Sequence, residues 1–366
     1  MKKTISFLTI IILCFIFVAC GNSNPPTNLE TPPTNPETPP STGDEGSSTI
    51  EGSKPDLIIK FASAGPADPE NPMNAGEIYF KEIVEERSAG KIEVELYMAG
   101  ALGNVRTVME GIQLGTIEMG EVENGVMGNF VDSAAIWDLP FMFDSYEHAY
   151  AVMDGELGDE LREDFLDIGV RHLGYNNGGF RYFFSNKRPP NNKKNMEGLK
   201  IRVMETSIML DTINSFGASA VPIAFGELYT ALQQGTVDGQ DMPIDMFVAQ
   251  SYFEVQDYMV WSEHFFMPRQ YLINEEFYQS LPTEYQTLIS ECALDACLEQ
   301  RRLFEEYCEN GVQLMLDNDM EIYYDFDYDY FKPIGLSLWP EYYEKIGGGN
   351  ATLGEERVKA VRALVE

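Results

Sequence analysis

An arginine interrupts an apolar strand pattern at Gly198-Leu-Lys-Ile-Arg-Val203, with Ile201 and Val203 on either side. A guanidinium in that setting is costly to desolvate unless an anion pairs with it. It also grips a carboxylate through two parallel hydrogen bonds, which gives orientation as well as energy. Arg202 is therefore a candidate clamp for a small anion. Arg181 is the second candidate, because it follows Asn176-Asn-Gly-Gly179, a stretch where backbone approaches a partner closely. With 59 Asp and Glu against 25 Lys and Arg, internal pairing competes for both arginines. On residue type alone the two readings balance for Arg202, and internal pairing leads for Arg181.

Catalytic chemistry finds little support. His148, His172 and His264 are far apart, and no metalloprotease, nucleophile-elbow, phosphate-loop or dinucleotide motif is present. Asp241 and Asp245 have a spacing that suits acid–base work, but among so many acidic residues such pairs arise by chance. Asp325-Phe-Asp-Tyr-Asp329 opens like a calcium loop but lacks its glycine and final glutamate, and its alternation predicts a strand with aromatics inward. The chemistry is that of binding.

The elements that would hold these residues are readable. Asp56–Ala62, Lys91–Met98 and Thr116–Val122 read as strands separated by helices, the second helix stopping at Gly115. That order predicts a parallel sheet covered on both faces. Strands are expected at Val170–Tyr175 and Phe180–Asn186. A second α/β unit follows: strand Leu199–Val203, helix Thr206–Phe216, strand Ala220–Ile223 and helix Phe225–Gln234. Asp257–Ile273 supplies further strands. A helix over 283–318, ~50 Å long at 1.5 Å per residue, exceeds one lobe and should span two.

The ends bound the setting. Lys2 and Lys3 precede an apolar run from Ile5 to Ala19, a secretion signal over 1–19 that is too short for a comfortable membrane span. Phe17-Val-Ala-Cys20 reads as a lipoprotein cleavage box, with Cys20 as the lipidated residue. Residues 20–54 are rich in Pro, Thr, Asn, Gly and Ser and form a disordered tether. Cys292, Cys297 and Cys308 lie in the long helix, where an odd number argues for free thiols rather than a disulfide framework. The formal net charge of -34 excludes nucleic acid as a partner and makes an acidic bilayer repulsive. An anion site here must rest on local arginines.

Several linked segments resemble the extracytoplasmic solute-binding proteins of tripartite ATP-independent periplasmic (TRAP) transporters. They are Gly198–Val203, Pro222–Pro243, Tyr252–Tyr258, Leu139-Pro-Phe-Met-Phe143, Ser88–Leu96, Gly100-Ala-Leu-Gly103 and the long helix after Leu281-Pro-Thr-Glu. The resemblance implies a two-lobed α/β fold of the periplasmic-binding-protein kind, with mixed sheets flanked by helices. It implies closure over an organic acid, no cofactor and no catalysis. The lobes would comprise residues 55–179 with about 268–307, and 180–267 with about 308–366, the long helix bridging them. Arg202 resembles the arginine that clamps the ligand carboxylate and Arg181 the second arginine. Phe225 falls where a ring covers the ligand, and Glu123 where a polar side chain tunes selectivity. Asp241 and Met242 complete the candidate set. Where many members read Asp-Gly-Gln-Glu-Asn-Pro, this chain has Asp238-Gly-Gln-Asp-Met-Pro243. A thioether cannot donate a hydrogen bond, so Met242 favours a more apolar acid, such as an aromatic or branched keto acid, over a sugar acid or C4-dicarboxylate. The expected partners are the transporter's membrane subunits and, through Cys20, the outer face of the cytoplasmic membrane. A sensor-kinase partner or a surface-anchored enzyme are the alternatives.

Overall fold

The computed structural model describes residues 54–364; the signal at 1–19, Cys20 and the tether as far as residue 53 lie outside the described residues. The first half runs β1 (Leu57–Ser63), α1 (Pro72–Arg87), β2 (Ile92–Tyr97), α2 (Val105–Gln113), β3 (Met119–Glu123), α3 (Tyr146–Met153), α4 (Glu156–Glu163) and β4 (Val170–Ser185). Then come α5 (Lys193–Met196), β5 (Lys200–Val203), α6 (Ser207–Ser215), β6 (Ser219–Pro222), α7 (Leu228–Gln233), β7 (Gly239–Met242), α8 (Ile244–Ala249) and β8 (Tyr258–Asn274). The chain ends through α9 (Glu275–Ser280), α10 (Thr283–Asp317), β9 (Glu321–Tyr323), α11 (Tyr328–Ser337), α12 (Trp339–Ile346) and α13 (Ala351–Arg362).

The expected βαβαβ opening is present. β1 pairs in parallel with β2 and β3, and alternating buried side chains such as Ile59, Phe61, Ile92 and Val94 hold them against α1. The second unit is present too, with β5 parallel to both β6 and β7. These do not form separate sheets. One mixed sheet of nine strands runs β2-β1-β3-β8-β4-β7-β5-β6, with β9 on β8. The join is made by β4 and β8, of 16 and 17 residues, which run antiparallel through both halves.

β4 corrects the expectation of two strands around Asn176–Gly179. The strand continues through a bulge, at which Asn177 pairs with Pro268 and Phe180 with Phe266. Glycine is required there for space: a Cβ on Gly178 would lie 2.0 Å from the Met267 carbonyl, and one on Gly179, at φ +86°, 2.7 Å from the Phe304 ring. The long helix α10 is found where the sequence predicts it. It packs on α1, on β4 and on α8, and so touches both halves of the sheet. Its Gln300 is fully buried and bonds the backbone of Asn177 twice: the amide accepts from Asn177 N at 2.9 Å and donates to Asn177 O at 2.8 Å. The side chain takes the place of a ladder partner at the bulge.

Two further expectations change. Asp325–Asp329 is not a strand: β9 stops at Tyr323, and Asp327 caps α11 by accepting from Tyr330 N at 3.1 Å. Phe225–Gln234 is a single tight turn over Phe225–Glu227 followed by the shorter α7. Cys292 and Cys297 are buried and Cys308 half-buried, all three as free thiols.

Candidate functional site

Arg202 sits on β5, between β6 and β7, with 3 % of its surface exposed. Its Nε donates to the Ile223 carbonyl at 2.9 Å. Among the described residues no carboxylate forms an ion pair with it, although its guanidinium faces a cavity of about 550 Å³. Burial, and then the neighbouring Arg181 charge, pull its pKa down to about 10. The protein therefore carries a buried cation without a counter-ion, on the wall of an open space.

Arg181 is arranged differently. Its Nε donates to Asp241 Oδ2 at 2.6 Å and its Nη2 to the Asp241 carbonyl, while Nη1 has only the Met204 and Met267 sulfurs, 3.8 and 3.7 Å away. Internal pairing, favoured by residue type, is what the structure shows, yet Arg181 still lines the cavity. Burial alone would raise the Asp241 carboxyl. Arg181 reverses that and, with buried His264 at 3.6 Å, holds it well below the usual carboxylate range. Asp241 is fully buried and is not on the cavity wall. This corrects its place in the ligand set: Met242 lines the cavity, whereas Asp241 lies behind Arg181, with its carboxylate taken up by that guanidinium. Asp241 orients Arg181.

Phe225, Met242 and Glu123 line the cavity with Arg202 and Arg181. The lining comes from residues 64–67, 99–100, 103–106, 123 and 126, and from 181, 202, 204–205, 223–226, 242–243, 246 and 250. Glu123 stands 3.7 Å from Arg269, a buried residue that donates to Asp245 Oδ2 at 2.7 Å. Burial opposes the Arg269 charge, yet Asp245, Glu123 and Glu121 together raise its pKa above the ordinary arginine value.

Sequence reasoning missed Arg269, though it interrupts an apolar strand pattern as Arg202 does. It also missed Arg106, a third guanidinium on the cavity wall, which stacks over Phe130 at 5.5 Å and lies three residues beyond Gly103. Asn104, Glu205 and Gln250 add polar groups; Gln250 follows α8 with no local signal to mark it. Three guanidiniums and two carboxylates thus line one space, and the guanidiniums equip it to hold an anion. No group of three or more metal-ligating side chains occurs among the described residues. Nor is any helix there long and apolar enough to cross a membrane.

Comparison with known proteins agrees. The family model for bacterial extracellular solute-binding protein, family 7 (DctP), matches residues 64–345. The chain is 29 % identical to the 2,3-diketo-L-gulonate-binding periplasmic protein YiaO of Escherichia coli, over 68 % of this chain and 76 % of that one. It is 28 % identical to the C4-dicarboxylate-binding periplasmic protein DctP of Rhodobacter capsulatus, over 71 % and 78 %. Among solved structures, a TRAP periplasmic solute-binding protein of Polaromonas bound to D-erythronate superposes with a TM-score of 0.79 at 29 % identity, covering 85 % of this chain and 99 % of that one. One from Desulfovibrio salexigens with bound orotic acid gives 0.77 at 27 % identity, covering 84 % and 98 %. These neighbours are binding receptors of two lobes. The chain accordingly belongs to the bacterial extracellular solute-binding proteins of family 7, the extracytoplasmic solute receptors of TRAP transporters.

Proposed function

We propose that this receptor captures a small monocarboxylate between its lobes, clamps it on Arg202 and presents it to TRAP membrane subunits. The observation that carries this reading is the buried, unpaired guanidinium of Arg202 on the cavity wall. A ligand carboxylate supplies the missing counter-ion, and closure around it dries the site and strengthens the charge-assisted bonds. Arg181, fixed by Asp241, offers its free Nη1 beside it. Glu123 and Glu205 repel a second carboxylate, which argues against dicarboxylates. Met204, Met242, Met246 and Phe225 suit an apolar body, while Asn104 and Gln250 suit a keto or hydroxyl oxygen.

The lobe limits we infer are 55–179 with about 268–307, and 180–267 with about 308 onward. The break in β4–β8 register between Asn177/Pro268 and Phe180/Phe266 supports them. Anchoring through a lipid on Cys20 rests on the Phe17-Val-Ala-Cys20 segment and the polar stretch after it.

Arg202→Ala tests the clamp. Calorimetry with a panel of monocarboxylates should show binding lost, with Tm within a few degrees of wild type, because deleting an unpaired buried charge removes a desolvation cost. An unchanged affinity would refute the assignment. Native mass spectrometry of freshly purified protein should reveal the co-purified acid.

A further inference from the structure

A second cavity, of about 320 Å³, shares no lining residue with the first. Phe180 and Tyr182 line it, whereas Arg181 between them lines the ligand cavity. Its volume is at the small end of the range for ligand sites, roughly 300–1,000 Å³.

Aromatic rings dominate its wall: Tyr146, Phe180, Tyr182, Trp261 and Phe304. The Tyr146 and Phe180 ring centroids are 5.0 Å apart, and those of Tyr182 and Trp261 4.7 Å. The charged residues on the wall are all carboxylates: Glu263 on β8, with Glu305 and Glu309 on α10. The lining contains no lysine, arginine or histidine.

The backbone is distorted to build this wall. Between the pairs Arg181/Phe265 and Phe183/Val260, the four residues Trp261–His264 of β8 face the single Tyr182 of β4. Glu263 adopts φ +41°, a left-handed conformation that side-chain-bearing residues seldom take and that persists only when its surroundings enforce it. The bulge brings the Trp261 ring beside Tyr182, and the indole donates to Glu263 Oε1 at 3.1 Å. Glu263 is thereby held half-buried beside the rings, and among the described residues it forms no ion pair.

We propose that this second cavity binds a small organic ammonium ion of the methylated-amine type. Ring faces attract a cation through their quadrupole, and a quaternary ammonium loses little hydration on entering such a cage. Glu263 supplies the counter-charge. The carboxylates repel an anion, and a neutral apolar guest leaves Glu263 half-buried and unmatched. Calcium or magnesium needs six or more converging oxygen ligands, and the three carboxylates here are not among any group of metal-ligating side chains brought together in the described residues. Burial raises the Glu263 pKa, and a cation beside it would restore its charge.

Calorimetric titration of the full chain with choline, and with the neutral analogue in which a tert-butyl group replaces the trimethylammonium, tests the proposal at constant ionic strength. Choline should bind saturably with a Kd below about 10 mM, and the neutral analogue at least about tenfold more weakly. Glu263→Gln and Trp261→Leu should each weaken choline about tenfold, while Arg202→Ala leaves it unchanged. Glu263→Gln preserves shape, so it decides the matter even if Trp261→Leu unfolds. Equal binding of the neutral analogue, no saturable choline heat, or wild-type choline affinity in Glu263→Gln would each overturn the assignment.

Discussion

At the scale of single residues, Arg202 is held where the fold alone gives it no charge partner, and this makes its proton a reporter of the ligand. Its pKa falls to about 10, below the ordinary arginine value, because burial, and then Arg181, disfavour the charged form. The unfolded chain holds that proton more tightly, so this residue's cost to stability is fully present below about pH 10 and fades as pH climbs toward the ordinary arginine pKa. A bound carboxylate reverses the bias. Affinity for the acid should therefore be level between about pH 7 and 9 and fall about tenfold per unit above about pH 10. Calorimetry across that range checks it; a level affinity to about pH 11 would remove Arg202 from the contact. The sequence made Arg202 legible because an arginine in an apolar strand is costly wherever it occurs. The same argument applied to Arg269 would have found the residue beside Glu123. Asp241 was misplaced because a motif assigns contiguous residues to one site, whereas the carboxylate of Asp241 is engaged by Arg181 and stays off the cavity wall.

At the scale of elements, the long helix was legible nearly to the residue. Its apolar pattern is sustained from Leu288 to Leu316, and Pro282 and Asn318 bound it. The continuity of β4 was not legible, since Asn-Asn-Gly-Gly is turn chemistry in most contexts. What overrides it is non-local: β8 runs unbroken alongside, and Gln300 satisfies both backbone groups of Asn177. Gln300→Met keeps the volume but orphans the buried Asn177 N–H and leaves the Asn177 carbonyl only the long 3.4 Å bond from Arg269 Nη1. It should cost about 1–3 kcal/mol, the penalty of one orphaned buried group. Urea denaturation would measure it; a loss under about 1 kcal/mol would show that another partner takes over the bulge. The end of β9 was likewise decided beyond the segment, because Asp327 serves as a helix cap where alternation predicts strand.

At the scale of the whole molecule, the global charge and the site pull in opposite directions, and kinetics can separate them. A charge of -34 spread over a body of about 25 Å radius repels an approaching monoanion. Screened Coulomb energies give about 3 kcal/mol of repulsion at about 0.01 M salt and about 1.6 kcal/mol at about 0.1 M. The attraction comes from Arg202, Arg181 and Arg106, set among Glu123 and Glu205 in a half-enclosed cavity. Salt reaches that space less readily than the outer surface. Adding salt should therefore relieve the barrier to entry more than it weakens the clamp. The association rate of the acid, followed by stopped flow, should rise by up to about tenfold between those salt concentrations, with dissociation nearly constant. Most charged ligand–receptor pairs slow down under the same change, because steering is attractive in them. A rate that falls with salt would mean that the three arginines project their field beyond the cavity mouth and overcome the carboxylates of the entire surface. Capture would then be steered from a distance instead of occurring only after the anion has crossed a repulsive shell.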